Sequence, residues 1–530
     1  MARRCGAATI LLAACCAPSA VAAPAAAQLR VELAPMGYQK LSPEFMMAGS
    51  SMLTVDFVDK DHLLVTFGVR RLMKRDANNP VDDADRTIGA FLVELPSGKV
   101  LARAEWRLHD RGQYLWNIGH GRFLLRVRDR LTMFAPMASA DPNEAFREVP
   151  VIQLNQHVVS VLVSSNSDLL TVETTKYSMG AGQPSAGFST DPAPVLIAFY
   201  RLTNTQTGLV VSSAGTVRAR TTLALPLTTA GRLDVIQGGK DRWLFNFDEH
   251  TGKVDELSEF DTTCFPRPTF VGHSEFVVFG CRGGPDKMDF AGLNMKGEEM
   301  WQQNFYDTHV NPTFSFAPDA GRFALGRTVV TDSGFDPSMP IPSSMVTGQE
   351  VRVYQSYNGK ILFKIDCTPV ERAGQNFSLS PDGLRLAVVR ESQVRHAATK
   401  YSPASTENEA AVEIYALPAL NAEDQVAVKD AQNHAPPDTG ARIDVALQRS
   451  SSKSAKSTPP PEPGPPDVMR GTNAAAGTPS AVDGGDPTVP AADAAPAQGT
   501  VSEGDTERTG PRKPPTLYGP DEKHPPAKPQ

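Results

Sequence analysis

Apolar and polar residues alternate along two stretches of the chain, and the two stretches match each other. Residues 314–327 read FSFAPDAGRFALGR and residues 377–390 read FSLSPDGLRLAVVR. In both, the alternating positions flank a turn that contains Pro, Asp and Gly, which is typical of a β-hairpin. The positions that are identical in the two stretches are Phe314/Phe377, Ser315/Ser378, Pro318/Pro381, Asp319/Asp382, Arg322/Arg385, Ala324/Ala387 and Arg327/Arg390. The chain therefore carries at least two copies of one structural unit.

A second hairpin completes this unit. Residues 351–354 (VRVY) and 361–363 (ILF) flank a turn that contains Gly359, and glycine suits the positive φ that such tight turns need. The first of these strands recurs as VEIY at residues 412–415, after the second copy of the first hairpin. Each unit is therefore predicted to contain four antiparallel strands.

The glycine-containing turn extends the pattern towards the N-terminus, where it recurs near Gly98, Gly208, Gly252 and Gly297. Seven units are predicted in total, near residues 52–106, 113–153, 157–215, 231–260, 270–305, 313–366 and 376–428. Six or eight units also fit the pattern, because the turn signal fails twice. A four-stranded antiparallel sheet that repeats at about 40 to 60 residues is typical of a propeller blade. The predicted fold is all-β, a seven-bladed β-propeller with four-stranded antiparallel blades.

The turn Ser380-Pro381-Asp382-Gly383 resembles a turn found in the blades of secreted propellers of the WD40-like and TolB-like kind. The resemblance covers residues 29–430 at the level of architecture. It implies a fold and no particular activity, because many unrelated functions share this turn. Residues 29–35 form one more strand-like run, which we expect to close the ring by pairing in the last blade.

The chain divides into three regions by composition. Residues 1–27 combine two arginines, a short apolar run and a series of small residues, as a secretory signal peptide does. Residues 28–430 hold the predicted propeller. Residues 431–530 are rich in Pro, Ala and Ser, and such a composition buries too little apolar area to offset the entropy of ordering the chain. They are predicted to form a disordered tail, either a spacer or envelope tether or a dispensable extension.

The signal region leaves two modes of export open. Leu12-Ala13-Ala14-Cys15 resembles a bacterial lipobox, in which Cys15 would be lipidated and anchor the protein. Cleavage near Ala27 would instead release the mature chain. The apolar run is shorter than the ~20 residues of a transmembrane helix, so no transmembrane span is predicted. We expect an exported protein, periplasmic or extracellular, with a lipid anchor only if Cys15 is modified.

Outside the signal region the cysteines are Cys264, Cys281 and Cys367. In an oxidising compartment an odd number favours one disulfide and one remaining thiol. Cys264 and Cys281 are the closer pair and are the predicted disulfide. The alternative is three buried free thiols, since buried cysteine packs as a small hydrophobic residue.

The charge argues against nucleic acid as a partner. The formal net charge is −7 and the pI is about 5.9, so the chain has no overall basic character. We expect a monomer whose ligand is a protein, a peptide or a glycan.

Familiar catalytic motifs are absent from the sequence: it contains no G-x-S-x-G, no H-E-x-x-H, no phosphate-binding loop and no C-x-x-C. No catalytic or cofactor-binding residue and no cofactor is therefore predicted, and metal binding is left open. His62, His120, His157 and His273 lie near the starts of inner hairpins, where they either line a channel metal site or serve as hydrogen-bonded structural residues. Residues 296–301 resemble the G-x-x-x-W motif of quinone-type propellers, but the motif occurs once instead of repeating.

Long insertions separate the second and third strands of four units, at residues 69–87, 176–194, 328–349 and 391–410. In an antiparallel blade these connections all leave from one end, so the four loops are expected on one face of the ring. The predicted function is an exported, non-catalytic propeller that binds its ligand with this loop-rich face. The alternative is an enzyme that uses a channel metal or a quinone, such as a lactonase-like hydrolase or a dehydrogenase.

Overall fold

The computed structural model describes most of the chain between residues 26 and 447. The described residues are 26–39, 53–69, 86–108, 113–127, 130–154, 156–175, 195–205, 208–219, 223, 227–281, 288–305, 309–330, 346–367, 376–396, 405–444 and 447. Residues 1–25 of the predicted signal peptide, with Cys15, and residues 448–530 of the predicted tail (431–530) lie outside them, as does most of the insertions at 69–87, 176–194 and 328–349.

The described strands form seven antiparallel sheets, and the protein is a seven-bladed β-propeller. Within the described residues six of the seven sheets have four strands, and the sheet formed by residues 231–261 has three. We number the blades 1 to 7 in chain order and call their strands A to D from the inside of the ring outwards. Blade 7 takes its outermost strand from the N-terminus of the chain. The predicted fold class and the seven predicted units are confirmed.

The strands of blades 1 to 3 are β2 (Thr54–Phe57), β3 (His62–Val69), β4 (Arg86–Glu94), β5 (Val100–Leu108), β6 (Leu115–Asn117), β7 (Phe123–Val127), β8 (Arg130–Phe134), β9 (Val149–Gln153), β10 (His157–Val163), β11 (Leu169–Thr175), β12 (Val195–Thr205) and β13 (Gly208–Ala219). The strands of blades 4 and 5 are β14 (Gly231–Gly239), β15 (Arg242–Glu249), β16 (Val254–Asp261), β17 (Arg267–Phe270), β18 (Glu275–Cys281), β19 (Met288–Asn294) and β20 (Glu299–Phe305). The strands of blades 6 and 7 are β21 (His309–Ala317), β22 (Arg322–Val330), β23 (Val346–Gln355), β24 (Ile361–Cys367), β25 (Phe377–Leu379), β26 (Arg385–His396), β27 (Ser405–Ala416) and β1 (Leu29–Glu32).

The described helices are short. They are 3-10 turns at Ala34–Met36 and Pro318–Ala320, α1 (Pro142–Ala145) and α2 (Ala422–Asn433). None of the helices in the described part of the chain has the length and apolar character needed to cross a bilayer.

The apolar core is divided among the boundaries between neighbouring blades. Alternate residues of each strand face opposite sides of the sheet, so each blade packs one row against the preceding blade and one against the following blade. Seven clusters of buried residues result, one at each boundary around the ring. At the boundary of blades 1 and 7, Phe57 and Phe67 pack with Val389 and Val412. Burying each such side chain stabilises the folded state by about 1.5–3 kcal/mol. The clusters therefore hold the blades in a ring.

The N-terminal strand closes the ring. β1 pairs antiparallel with β27, in a register that places Leu29 opposite Ile414 and Glu32 opposite Ala411. Arg30 adds an ion pair to Glu413 at 2.8 Å. The predicted pairing of this segment in the last blade is confirmed, and it covers an edge of blade 7 that would otherwise be open.

Blade 4 has three strands within the described residues. Its glycine turn at Gly252 joins β15 and β16, so these are strands C and D and β14 is strand B. In the place of strand A the described residues show a single bridge between Leu227 and Arg232.

The chain continues as an ordered segment after blade 7. Asn421 and Asp424 form a capping box at the start of α2, in which each side chain accepts a hydrogen bond from the other residue's backbone N–H. Asp430 then pairs with Lys296 of blade 5 at 3.0 Å. The described structure thus extends beyond the predicted propeller boundary at residue 430. We call residues 418–444 the C-terminal segment.

The end of this segment packs at the boundary of blades 3 and 4. Ile443 is fully buried in a cluster that contains Ile197 and Phe199 of blade 3 and Leu227 of blade 4. Arg201 of blade 3 fastens it by donating hydrogen bonds to the carboxylate of Asp438 and to the carbonyl oxygen of Ala441. The C-terminal segment therefore supplies apolar surface at the boundary of blades 3 and 4.

The structure contains a disulfide between Cys264 and Cys281, whose Cα atoms are 5.4 Å apart. Cys264 lies in the connection between blades 4 and 5, and Cys281 ends the second strand of blade 5. The bond therefore ties this connection to the blade that follows it.

Candidate functional site

The two faces of the ring differ in the kind of connection that they carry. The A–B and C–D turns all lie on one face, which we call the turn face. The B–C connections and the links between blades lie on the other, which we call the loop face. The four long insertions do join second to third strands, as the sequence predicts. Most of three insertions lies outside the described residues, whereas residues 391–396 and 405–410 of the fourth belong to β26 and β27. The expected role of the loop face therefore stays a prediction.

A cavity of about 670 Å³ opens in the centre of the turn face. Its wall consists of the ends of the A strands and the A–B turns of five blades, from residues 56–60, 117–121, 163–167, 314–319 and 378–382. We call this cavity the funnel. It is as large as typical ligand sites, which measure about 300–1,000 Å³.

The inner strands around the funnel are held together by hydrogen bonds between blades. Ser315 of blade 6 accepts a hydrogen bond from the backbone N–H of Leu379 at 2.9 Å. Ser378 of blade 7 accepts one from the backbone N–H of Phe57 at 3.1 Å. These two serines are identical in the matching sequence stretches, and their hydroxyl groups link consecutive inner strands.

Asp56 occupies the corresponding position in blade 1. Ser378 and Asp56 each precede the last residue of their A strand, Leu379 and Phe57. Blade 1 therefore places a carboxyl group where blades 6 and 7 have a hydroxyl group. Because Asp56 also lines the funnel, this exchange brings an ionisable group to the cavity wall.

The Asp56 carboxyl is buried and only partly satisfied. The residue is 5% exposed, and its Oδ2 has no hydrogen-bond partner. Burial raises the pKa of Asp56 to about 7, although a hydrogen bond with the Asn117 side chain opposes the shift. Next to it, burial raises the pKa of Tyr114 to about 12, and its hydroxyl lies 2.6 Å from Oγ1 of Thr66. The surroundings of Asp56 therefore supply little compensation for a negative charge.

The A–B turn of blade 3 adds two more unpartnered polar atoms, Oγ of Ser165 and Oδ1 of Asn166. The orientation of the Asn166 amide follows from its neighbour, since Nδ2 donates to Oδ2 of Asp168 at 2.9 Å. Asp168 is itself held by Thr229 of blade 4, which donates to the same oxygen at 2.7 Å. The amide nitrogen is thus engaged, whereas the carbonyl oxygen is buried without a hydrogen-bond partner.

The rim of the funnel carries further carboxylates. Asp59 lies with its Oδ2 2.9 Å from Nδ1 of His62. Asp319 lies 2.9 Å from Nε2 of His273, and this hydrogen bond lowers the pKa of Asp319. The side chain of Gln432 in α2 also bonds to Asp319, which brings the C-terminal segment to the rim.

The four histidines near the inner hairpins are not all brought together. His62, His120 and His273 are at A–B turns on the turn face, whereas His157 begins β10 at the loop face, opposite Thr175. A site shared by His62 and His157 is therefore not formed. Within the described ranges no three His, Cys, Asp or Glu side chains are grouped as metal ligands.

Trp301, the aromatic residue of the quinone-like motif, lies at the boundary of blades 5 and 6. Its Nε1 donates to the carbonyl oxygen of Ser356 at 2.6 Å, and its ring stacks with Tyr354 at 6.3 Å between centroids. Gly359 allows this approach, since a Cβ there would lie 2.5 Å from the indole. Trp301 therefore joins two blades.

Several solved structures are similar to about 70% of this chain at low sequence identity. An acylaminoacyl peptidase of Pyrococcus horikoshii is 9% identical over 70% of this chain, with a TM-score of 0.36. Hsv2 of Kluyveromyces lactis is 8% identical over 70% of this chain and all of its own length, with a TM-score of 0.31. A protein of the COPII outer coat vertex is 11% identical over 70% of this chain and 86% of its own, with a TM-score of 0.35.

The chain spans 52% of the peptidase chain that it matches. No protein-family model matches this chain, and no curated protein matches its sequence.

Proposed function

We propose that this protein is a non-catalytic binding propeller that holds its ligand in the funnel of the turn face. One observation carries the proposal: Oδ2 of Asp56, Oγ of Ser165 and Oδ1 of Asn166 are buried without hydrogen-bond partners and belong to residues that line one cavity. A buried polar group without a partner costs about 1–3 kcal/mol. A ligand that satisfies these atoms recovers that cost, so the funnel favours an occupied state.

The size of the funnel favours part of a larger ligand or a small ligand as a whole. A cavity of about 670 Å³ accommodates one or two side chains of a protein or peptide, or a sugar unit of a glycan. This proposal places the ligand on the face opposite to the loop face that the sequence favours.

We further propose that binding takes place outside the cytoplasm. The composition of residues 1–27 and the disulfide between Cys264 and Cys281 support this location.

A binding screen tests the proposal. The full-length chain is mixed with a library of short peptides, saccharides and small fragments, and bound members are identified by ligand-observed NMR. Asn166→Leu removes an unpartnered acceptor in the funnel at similar volume. Asn246→Leu is the matched control, because Asn246 also has a buried, unpartnered Oδ1 but lies in β15 and does not line the funnel.

We expect ligands that bind the wild-type protein to lose at least tenfold in affinity with Asn166→Leu and to retain affinity with Asn246→Leu. If the ligands bind both variants as they bind the wild type, the site lies elsewhere and the proposal is wrong.

A further inference from the structure

We infer that the group bound in the funnel is a nitrogen cation, a protonated amine or a guanidinium, that donates hydrogen bonds to Asp56 and Asn166. This inference rests on the proposed function and specifies the chemistry of its ligand. It follows from the kind of atoms that are unpartnered, from the charge of the wall and from the burial of Asp56.

The unpartnered atoms call for hydrogen-bond donors. Oδ2 of Asp56 and Oδ1 of Asn166 accept hydrogen bonds, and the Asn166 amide is prevented from turning because Asp168 holds its nitrogen at 2.9 Å. The Ser165 hydroxyl can serve as donor or acceptor. Ammonium and guanidinium groups carry three and five N–H donors and no acceptor, so they match this wall. A carboxylate or phosphate group carries only acceptors and leaves these atoms unsatisfied.

The charge of the wall favours the same class of ligand. The lining carboxylates are those of Asp56, Asp59, Asp319 and Asp382, whereas Lys60 is the lysine of the wall. His120 is the histidine that lines the funnel, and it contributes positive charge only when protonated. An anionic ligand is therefore repelled from the funnel and a cationic ligand is attracted to it.

The burial of Asp56 strengthens the preference for a cation. A carboxylate at the rim, such as Asp59, interacts with a cation through water and contributes little. At the buried Asp56 the same attraction acts at lower effective dielectric and is stronger. Oδ2 of the Asp56 carboxyl has no hydrogen-bond partner, so a cationic ligand would supply the compensating positive charge at this atom. The raised pKa of Asp56 agrees with this, because it reports that the charged form lacks compensation.

Three capped amino acids of similar length test the inference. They are the N-acetyl methylamides of lysine, norleucine and glutamate, which carry a cationic, a neutral and an anionic side chain on the same backbone. Their affinities for the full-length chain are measured at pH 8 by NMR titration. We expect the lysine derivative to bind at least tenfold more tightly than the norleucine derivative, and the glutamate derivative to bind more weakly than either.

Two variants assign the preference to Asp56. Asp56→Asn keeps the shape and removes the charge, and we expect it to abolish the tenfold advantage of lysine over norleucine. Glu173→Gln is the matched control: Glu173 is also buried, burial also raises its pKa to about 7 and its Oε2 is also unpartnered, but it lies in β11 outside the funnel. The control should preserve the advantage. If Asp56→Asn does not fold, Asn166→Asp replaces it, and the added charge should increase the affinity for the lysine derivative.

The outcomes separate this inference from the proposed function. If norleucine or glutamate derivatives bind as well as the lysine derivative and compete for the funnel, the cation preference is wrong while the funnel remains a binding site. If none of the three binds at millimolar concentration, the cation inference is also wrong, and the library screen with Asn166→Leu decides the proposed function separately.

Discussion

The carboxylate of Asp444 lies directly against the backbone of Gly215. A Cβ atom added at Gly215 would be 2.5 Å from Oδ1 of Asp444, closer than real Cβ contacts come. Gly215 lies in β13 beside a β-bulge and has a φ of 133°, a value that other residues rarely adopt. The C-terminal segment thus approaches blade 3 at a point where only glycine leaves room for it.

Replacing Gly215 tests whether this approach stabilises the fold. We expect Gly215→Ala to lower the free energy of unfolding by about 1–3 kcal/mol, because it combines a strained φ with a clash against Asp444. The measurement is chemical denaturation of the full-length chain. Gly348→Ala is the control, since its Cβ would meet only the Cβ of Val329 at 4.0 Å. Equal stability of the two variants would show that Asp444 does not pack on Gly215.

Ile443 provides a second test of the same contact. Its side chain is fully buried with Ile197 and Phe199, so Ile443→Ala should cost about 2–5 kcal/mol and leave a cavity at the boundary of blades 3 and 4. Hydrogen exchange should then become faster in β12. Val426→Ala in α2 is the control, because Val426 is 68% exposed and should change stability by less than about 0.5 kcal/mol. Unchanged exchange in β12 would contradict the packing of the C-terminal segment on blade 3.

The closure of the ring by β1 makes a further prediction. Val31 lies opposite Val412 and is buried in the cluster between blades 1 and 7. We expect Val31→Asp to detach β1, because burying a carboxylate without a partner costs several kcal/mol. The exposed edge of β27 should then promote association, which light scattering after size-exclusion chromatography detects.

Arg30→Ala is the control for Val31→Asp. The Arg30 side chain is partly exposed and its ion pairs are near the surface, so its loss should cost no more than about 1 kcal/mol. A monomeric Val31→Asp protein as stable as Arg30→Ala would show that β1 is not needed to close the ring.

The disulfide between Cys264 and Cys281 can be tested by peptide mapping without reductant. We expect one linked peptide pair that contains these two residues, and a Cys367 that reacts with a thiol reagent in denaturant before reduction. With a sequence separation of 17 residues, closing this loop should stabilise the fold by about 3 kcal/mol. The Cys264→Ala, Cys281→Ala double variant should therefore unfold at lower denaturant concentration. A linked peptide that contains Cys367 would contradict this pairing.

The architecture was predictable because it depends on signals that recur. The hairpins of blades 6 and 7 match position by position, and the pairing of the N-terminal run followed from the cost of an open edge. The role of Ser378 was encoded in the same repeat, since it is identical to Ser315 and both accept a hydrogen bond from the next blade. These features are local or repetitive, so one sequence is enough to show them.

The funnel was not predictable in the same way. In the sequence, Asp56 is one polar residue in an alternating strand. Its equivalence to Ser378 cannot be recognised there, because the sequence of blade 1 has diverged from that of blade 7. The orientation of Asn166 depends on Asp168 and Thr229, which belong to different blades. The burial of Ile443 depends on its packing with residues of blades 3 and 4, while the surrounding composition indicates a tail. In each case contacts between distant parts of the chain outweigh the local pattern.

The raised pKa of Asp56 predicts a specific pH dependence of stability. The pKa is about 7 in the folded state against an ordinary value of 3.8, so between these values the folded state binds more protons than the unfolded state. The contribution of Asp56 to the free energy of unfolding is therefore fully present below about pH 4. It is lost as the pH rises towards 7 and stays lost at higher pH. This difference between the folded and the ordinary pKa of Asp56 corresponds to roughly 4 kcal/mol. The groups next to Asp56 are the Asn117 amide and the Tyr114 hydroxyl, and neither changes charge in this range.

Asp56→Asn removes this dependence. We expect the variant to gain stability relative to the wild type as the pH rises from 5 to 8, measured by chemical denaturation at each pH. Asp61→Asn is the control, because Asp61 is about half exposed in the A–B turn of the same blade and its ion-pair partners are a lysine and an arginine, Lys60 and Arg385. We expect no comparable gain in stability for this variant. Parallel pH profiles of the wild type and Asp56→Asn would mean that the Asp56 carboxyl is already ionised and compensated in the folded protein. The funnel would then lack the uncompensated carboxyl on which the recognition of a cation depends.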